Sequence, residues 1–259
     1  MVYAQEIQKL SFGIVPQQSA TKLAKIWTPL LKKISKEVHV EIRFKTAKNI
    51  PVFEKRLLTG EYDLAYMNPY HYTVFHQNPG YKAFAKQKNK KIKGIIVVHK
   101  DSQVQHPKEL VNQTLAFPSP AAFAASVLPR AYFQNNHWPI TPKYVSSHDS
   151  VYRSVAKKLF PAGGGIIRTF EGVAPEIRSQ IKILWVTPAY TPHAFAAHPR
   201  VPKNLIAQLK QMMIALEQSA EGRNLLSNIG FDGIQEAQNE DWDDIRALKI
   251  NQLDSLIDQ

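Results

Sequence analysis

The apolar and polar positions of this chain switch repeatedly between a period of two and a period near 3.6. Residues 10–15, LSFGIV, put Leu10, Phe12 and Ile14 on one face and predict a strand. The next segment, PQQSATKLAKIWTPLLKKIS, sets Leu23, Ile26, Leu30, Leu31 and Ile34 along one helical stripe, with Ser19 or Thr21 as its cap. Pro29 falls inside that stripe and predicts a kink or a broken turn. Residues 38–44, VHVEIRF, alternate again, with Val38, Val40, Ile42 and Phe44 inward. A short helix stopping at Gly60 and a buried strand in YDLAYMN, running into Pro69, follow.

The same alternation resumes with strands at GIIVVHK (94–100) and 115–117, a helix from 120, a strand at 143–147 and a helix at 149–159. Strands at 165–170 and 181–187 come next. The last third reads as mainly helical, with Leu205, Leu209, Met212, Met213 and Leu216 on one face of 203–218. This order predicts an α/β layer protein with largely parallel sheets, divided into two lobes. No apolar run approaches the roughly 20 residues that cross a membrane.

In such sheets, ligands sit beyond the carboxyl ends of the strands, near helix N-termini. The loops at those ends are PQQSAT (16–21), MNPYHY (67–72), PSPAAFAAS (118–126), SSHDSVY (146–152), RTFEG (168–172) and VTPAYTPHA (186–194). They are expected to converge on one cleft. Tyr66, Asn68 and Tyr70 are expected on one wall, with Gln17, Gln18 and Ser19 opposite. In FPSPAAFAAS, Ser119 is placed to cap a helix and Pro120 to open it, yet the first turn is nearly bare alanine. His148 and His193 lie in strand-end loops, His148 as either a cap or a ligand contact.

The formal charge of +12 is uneven. Residues 231–259 hold eight acids and two bases, −6, which leaves 31 bases against 13 acids, +18, in residues 1–230. The densest basic run, KQKNKKIK (86–93), has no recognition helix or aromatic platform beside it and reads as a solvated loop, not a nucleic-acid site. A basic surface also steers anionic small ligands. There is no cysteine, hence no disulfide. Gly163–Gly165 lack the lysine and spacing of a phosphate loop and read as a tight turn with close backbone packing. The histidines five apart, His71 with His76 and His193 with His198, do not have metal-ligand spacing. Ser147, His148 and Asp149 are adjacent and cannot form a hydrolytic triad, and the loops hold no carboxylate pair. The chain therefore reads as a binder without metal or cofactor. Val2-Tyr3-Ala4 has the shape of a signal-peptide cleavage site.

The ordered set LSFGIVPQQSATKLAKIWTPLL, GEYDLAYMNPYHY, GIIVVHKDS, SHDSVYRSVAKKLFPAGG and ILWVTPAYTPHAFAAHPRVP resembles the phosphate/phosphite/phosphonate-binding proteins of bacterial ABC importers, from about residue 8 to about residue 247. The resemblance implies a type II periplasmic binding protein fold, two α/β lobes joined by a two-strand hinge. It implies lobe 1 from residues 5–97 plus 190–259, lobe 2 from 98–189, and a hinge near 97–99 and 188–192. It implies a non-enzymatic periplasmic receptor, secreted by a signal peptide, monomeric, presenting a small anion to an ABC permease. A ligand-sensing partner of a membrane histidine kinase or cyclase is the alternative on the same fold, and an enzyme a third. In phosphonate binders, hydroxyls at the helix mouth hold the phosphonate oxygens; aligned on Leu128-Pro129-Arg130, those positions are Ala122, Phe123 and Ala124 here. Ser119 and Ser126 could supply hydroxyls from a shifted register, or Phe123 and Ala124 could carry an apolar part of a different ligand. Where amine-containing phosphonate receptors carry acids, this chain has Arg168, Thr169 and Phe170, and Arg168 points to an anionic group. Tyr190 and His193 complete the expected ligand-binding set.

Overall fold

The computed structural model describes residues 9–253, so Val2-Tyr3-Ala4 and the ends of the implied first lobe lie outside the described residues. In chain order the elements are β1 (Lys9–Ile14), α1 (Ala20–Val38), β2 (Glu41–Lys45), α2 (Ile50–Leu58), β3 (Leu64–Met67), α3 (Pro69–Phe75), β4 (Lys82–Gln87) and β5 (Gly94–His99). Then come β6 (Thr114–Phe117), a π turn (Phe123–Val127), α4 (Leu128–Asn135), β7 (Thr141–Tyr144), α5 (His148–Ala156), β8 (Ala162–Ile166), α6 (Ile167–Glu171), α7 (Pro175–Arg178) and β9 (Ile181–Val186). The chain finishes with β10 (Ala194–Ala197), α8 (Lys203–Ala215), α9 (Ala220–Asn228), β11 (Ile234–Glu236) and α10 (Asp243–Arg246).

Two sheets result, ordered β11-β4-β10-β3-β1-β2 and β7-β6-β8-β5-β9. β1 runs parallel to β2 and β3, and β6 parallel to β7 and β8. β10 is antiparallel to β3 and β4, and β5 to β8 and β9, so the sheets are mixed instead of largely parallel. β5 and β10 are the strands entered as the chain passes from one sheet to the other, which is why they run against their neighbours. The links between sheets are therefore residues 88–93 and 187–193, and 94–99 already belongs to the second sheet. The two links pair with each other: Ile92 N–H donates to Tyr190 O at 2.7 Å and Tyr190 N–H to Ile92 O at 2.9 Å.

Local chemistry explains the boundaries. Ser19 caps α1 by accepting from Lys22 N–H, and Leu23, Trp27, Leu30, Leu31 and Ile34 form its buried stripe. Pro29 sits inside α1 without ending it. Val38 belongs to this helix, which His39 closes in the left-handed conformation (φ 54°), so β2 begins at Glu41 and not at 38. Trp27, Phe12, Tyr66, Phe195 and Phe231 form an aromatic knot in the first core. The span expected as a strand at 165–170 is the end of β8 plus helix α6. The three glycines make an extended strand and not a turn, and the close backbone packing expected of them is present. A Cβ on Gly164 would lie 1.9 Å from the Ala125 carbonyl oxygen, and one on Gly165 2.2 Å from the Tyr152 hydroxyl. The basic run is the end of β4 and a solvated loop leading into β5, as expected, and its lysines are paired: Lys86 with Asp241, Lys88 with Glu217, Lys90 with Asp232 and Lys91 with Asp244.

Candidate functional site between the two sheets

The helix mouth after β6 differs from its sequence signal. Residues 120–121 form a turn, and the helix opens at Phe123 as a π turn that continues into α4. Ser119 does not cap it; the residue before the turn is Ala122, which gives no side-chain cap. The hydroxyls of Ser119 and Ser126 are buried and meet no partner among the described residues. Packing overrides the local signal. Ala121 to Ala125 are all buried, and the Ala124 and Ala125 carbonyls press onto Gly94 and Gly164, where a Cβ would lie 1.9 Å away in each case. A side chain at Gly94 or Gly164 would not fit against these carbonyls. Ser126 and Val127 N–H return to Ala122 O at 2.7 and 3.2 Å, and Leu128 N–H returns to Phe123 O. The N–H groups of Phe123, Ala124 and Ala125 donate to no acceptor among the described residues.

These three donors border a small cavity between the sheets, lined by buried residues. Its polar wall is Gln17, Asn68, His148 and His193. Its apolar wall is Val15, Ile50, Ile92 and Ile166 with Ala122 to Ala125, and no carboxylate stands on it. The free space is about 10 Å³, about enough for one water molecule. The cleft is closed.

Contacts across it hold it so. Asn68 caps α3 by accepting from His71 N–H at 2.8 Å and donates from Nδ2 to Ala121 O at 3.3 Å. The His148 N–H donates to Gln17 O at 3.2 Å. Arg168 donates to Gln17 Oε1, and Lys22 Nζ to the Gly172 carbonyl. His148 does not cap α5; Ser147 does, accepting from Ser150 N–H, and His148 Nδ1 lies 3.1 Å from Thr169 Oγ1. Burial pushes the His148 imidazole down to about 3, with the Arg168 charge adding to it. Burial, then Arg168, His71 and His148, push His193 well below its ordinary value. Both rings are neutral at neutral pH.

Of the residues expected at the site, Gln17, Asn68, Ala122, Phe123, Ala124, His148 and His193 line the cavity. Tyr66 stands one layer behind, stacked on His193 at 4.9 Å. Tyr190 meets the edge of Phe123 at 5.6 Å. Arg168 lies behind Gln17 and over Tyr66 and Phe231, and not on the wall. Gln18 is half-buried outside the cavity, Ser19 is exposed and committed to capping, and Ser119 is off the wall. Tyr70 is turned away as well, its hydroxyl accepting from Leu253 N–H at 2.9 Å. The reading from sequence missed the apolar wall of Val15, Ile50, Ile92 and Ile166. It also missed the buried Glu54–His71 pair beneath Asn68, at 2.9 Å. The strand-end rule could have found Val15 and Ile166, the last residues before two of the loops.

Two α/β layers with a site between them, linked by two paired segments, define a type II periplasmic binding protein. The family model for the periplasmic phosphonate substrate-binding protein of ABC transporters matches residues 12–242, and the chain belongs to that family. Its members are substrate-binding proteins, not enzymes; they work in the periplasm with an ABC permease and bind small phosphonate ligands. Among solved structures, a binding component of an ABC phosphonate transporter from Pseudomonas aeruginosa is similar at a TM-score of 0.87 and 17% identity, over 95% of this chain and 87% of that one. PhnD1 from Prochlorococcus marinus, in complex with methylphosphonate, is similar at 0.85 and 20%, over 95% and 99%. A Xanthomonas citri protein bound to chloride ion is similar at 0.74 and 14%, over 96% and 99%. No curated protein matches the sequence.

Proposed function

We propose that this protein is a periplasmic receptor that captures a small organic or phosphorus-containing anion between its lobes and delivers it to an ABC importer, by binding alone and as a monomer. The lobes meet at the links 88–93 and 187–193, with β5 in the second lobe, and they swing about the paired residues Ile92 and Tyr190. One observation carries the reading: three unused backbone N–H groups, at Phe123, Ala124 and Ala125, face a wall without a carboxylate. Such donors at a helix start favour negative charge. Neutral His148 and His193 put no charge of their own on the wall. Phe123 and Ile166 offer an apolar face to a small alkyl group. Methylphosphonate, the ligand of the Prochlorococcus neighbour, is the first probe. Calorimetric titration of dialysed protein with methylphosphonate, phosphite and inorganic phosphate should give one-site binding for at least one of them. Native mass spectrometry that instead finds a co-purified cation or neutral molecule, with no response to any anion, would overturn the reading.

A further inference from the structure

Gln17 is held at both ends of its amide. Arg168 has only donors, and it gives an N–H to Gln17 Oε1, which fixes which end is oxygen. The other end, Nε2, is then purely a donor, and it lies 3.0 Å from His193 Nε2. That ring nitrogen must accept. An imidazole that accepts at Nε2 carries its proton at Nδ1 and is uncharged. No described residue partners His193 Nδ1, and the ring lies on the cavity wall, stacked on Tyr66 at an interplanar angle of 18°. Arg168 is held in turn, its guanidinium 5.6 Å from the Tyr66 ring centre and 5.8 Å from that of Phe231.

We infer that Arg168 is a positioning residue that acts through Gln17, fixing His193 as its Nδ1–H tautomer so that the ring offers the anion an N–H donor and no charge. This rests on the anion-receptor reading above. The guanidinium then contributes from one side chain behind the wall. It also polarises the Gln17 amide, which strengthens the donor that holds the ring.

The test is NMR of protein carrying ring-¹⁵N histidine, which reads the protonated nitrogen of His193 directly, alongside calorimetry with methylphosphonate, phosphite and inorganic phosphate. The wild-type ring should carry its proton at Nδ1. Gln17→Glu replaces the donor with an acceptor and should move the proton to Nε2. Arg168→Met frees the Gln17 amide to turn and should give a mixture of tautomers, whereas Arg168→Lys, which keeps a donor, should restore Nδ1–H. Affinity for the anion that binds should fall about tenfold or more in Gln17→Glu and in Arg168→Met, and recover in Arg168→Lys. A wild-type proton at Nε2, or a tautomer unchanged in both Gln17→Glu and Arg168→Met, overturns the inference. If His193 behaves as stated but none of the three anions binds, the receptor reading fails and the relay stands.

Discussion

The carbonyl oxygen of Ala124 occupies the space where a side chain on Gly94 would begin, 1.9 Å from the position of its Cβ. The strand that receives the chain from the first sheet is thus in direct backbone contact with the turn that presents the unused N–H groups. Gly94→Ala should push the π turn off β5, destabilising the protein by about 1–3 kcal/mol, as overpacked cores do. It should also weaken anion binding, because the donors move with the turn. Urea unfolding and calorimetry on the same variant check both; stability within about 0.5 kcal/mol of wild type would mean that this approach is not tight.

Two neutral buried histidines make stability depend on pH in one direction. His148 is held down to about 3 in the folded protein and titrates near 6.5 when unfolded. Between those values the unfolded chain binds a proton that the folded ring does not, so stability rises with pH. It is full above about 6.5 and is lost as pH falls toward 3, at up to about 1.4 kcal/mol per pH unit for each ring. His193, shifted the same way, adds to the slope. Urea titrations from pH 7 to pH 5 should show it, and His148→Gln should flatten it by one proton.

Much of this architecture is legible in the sequence, and the failures share a cause. The alternation of LSFGIV and the stripe from Leu23 to Ile34 depend on neighbours within a few residues, and both elements form there. Ser119-Pro120 is an equally strong local signal, but contacts with Gly94 and Gly164 decide the helix start instead. Tyr70 reads as a site residue until Leu253, 183 positions away, takes its hydroxyl. Arg168 reads as a direct anion partner until Gln17, 151 positions away, meets its guanidinium. Two acidic partners of the basic run 86–93, Asp241 and Asp244, arrive only once α10 and the turn before it fold back against β4 and the link.

That folding back gives the links a fastener. Asp244 Oδ2 accepts from Thr191 N–H at 2.8 Å and from Thr191 Oγ1 at 3.0 Å, and Lys91 Nζ donates to the same Thr191 hydroxyl at 3.0 Å. One carboxylate from α10 therefore ties both links. Asp244→Ala should lower stability by about 1–2 kcal/mol, allowing for its partial exposure. Amide exchange at Thr191 should speed up more than exchange within β1 or β6. Equal acceleration everywhere would show a global effect and no local fastening.

The last expectation concerns Ala124, which lines the cavity and whose own N–H is among the unused donors. A carboxylate at this position would meet the N–H groups meant for the ligand and would repel an anion seated there. Two unit charges about 4 Å apart, at an effective dielectric of about 20, repel by about 4 kcal/mol, near a thousandfold in affinity. Because Ala124 is buried, Ala124→Asp also adds bulk, so Ala124→Asn is the control of matched size without charge. The aspartate variant should lose nearly all affinity for the anion that binds wild type, while the asparagine variant should lose about tenfold, the part due to crowding. Calorimetry separates them. Equal losses in the two variants would mean that volume and not charge governs the site, and the ligand's negative end would not lie at these N–H groups.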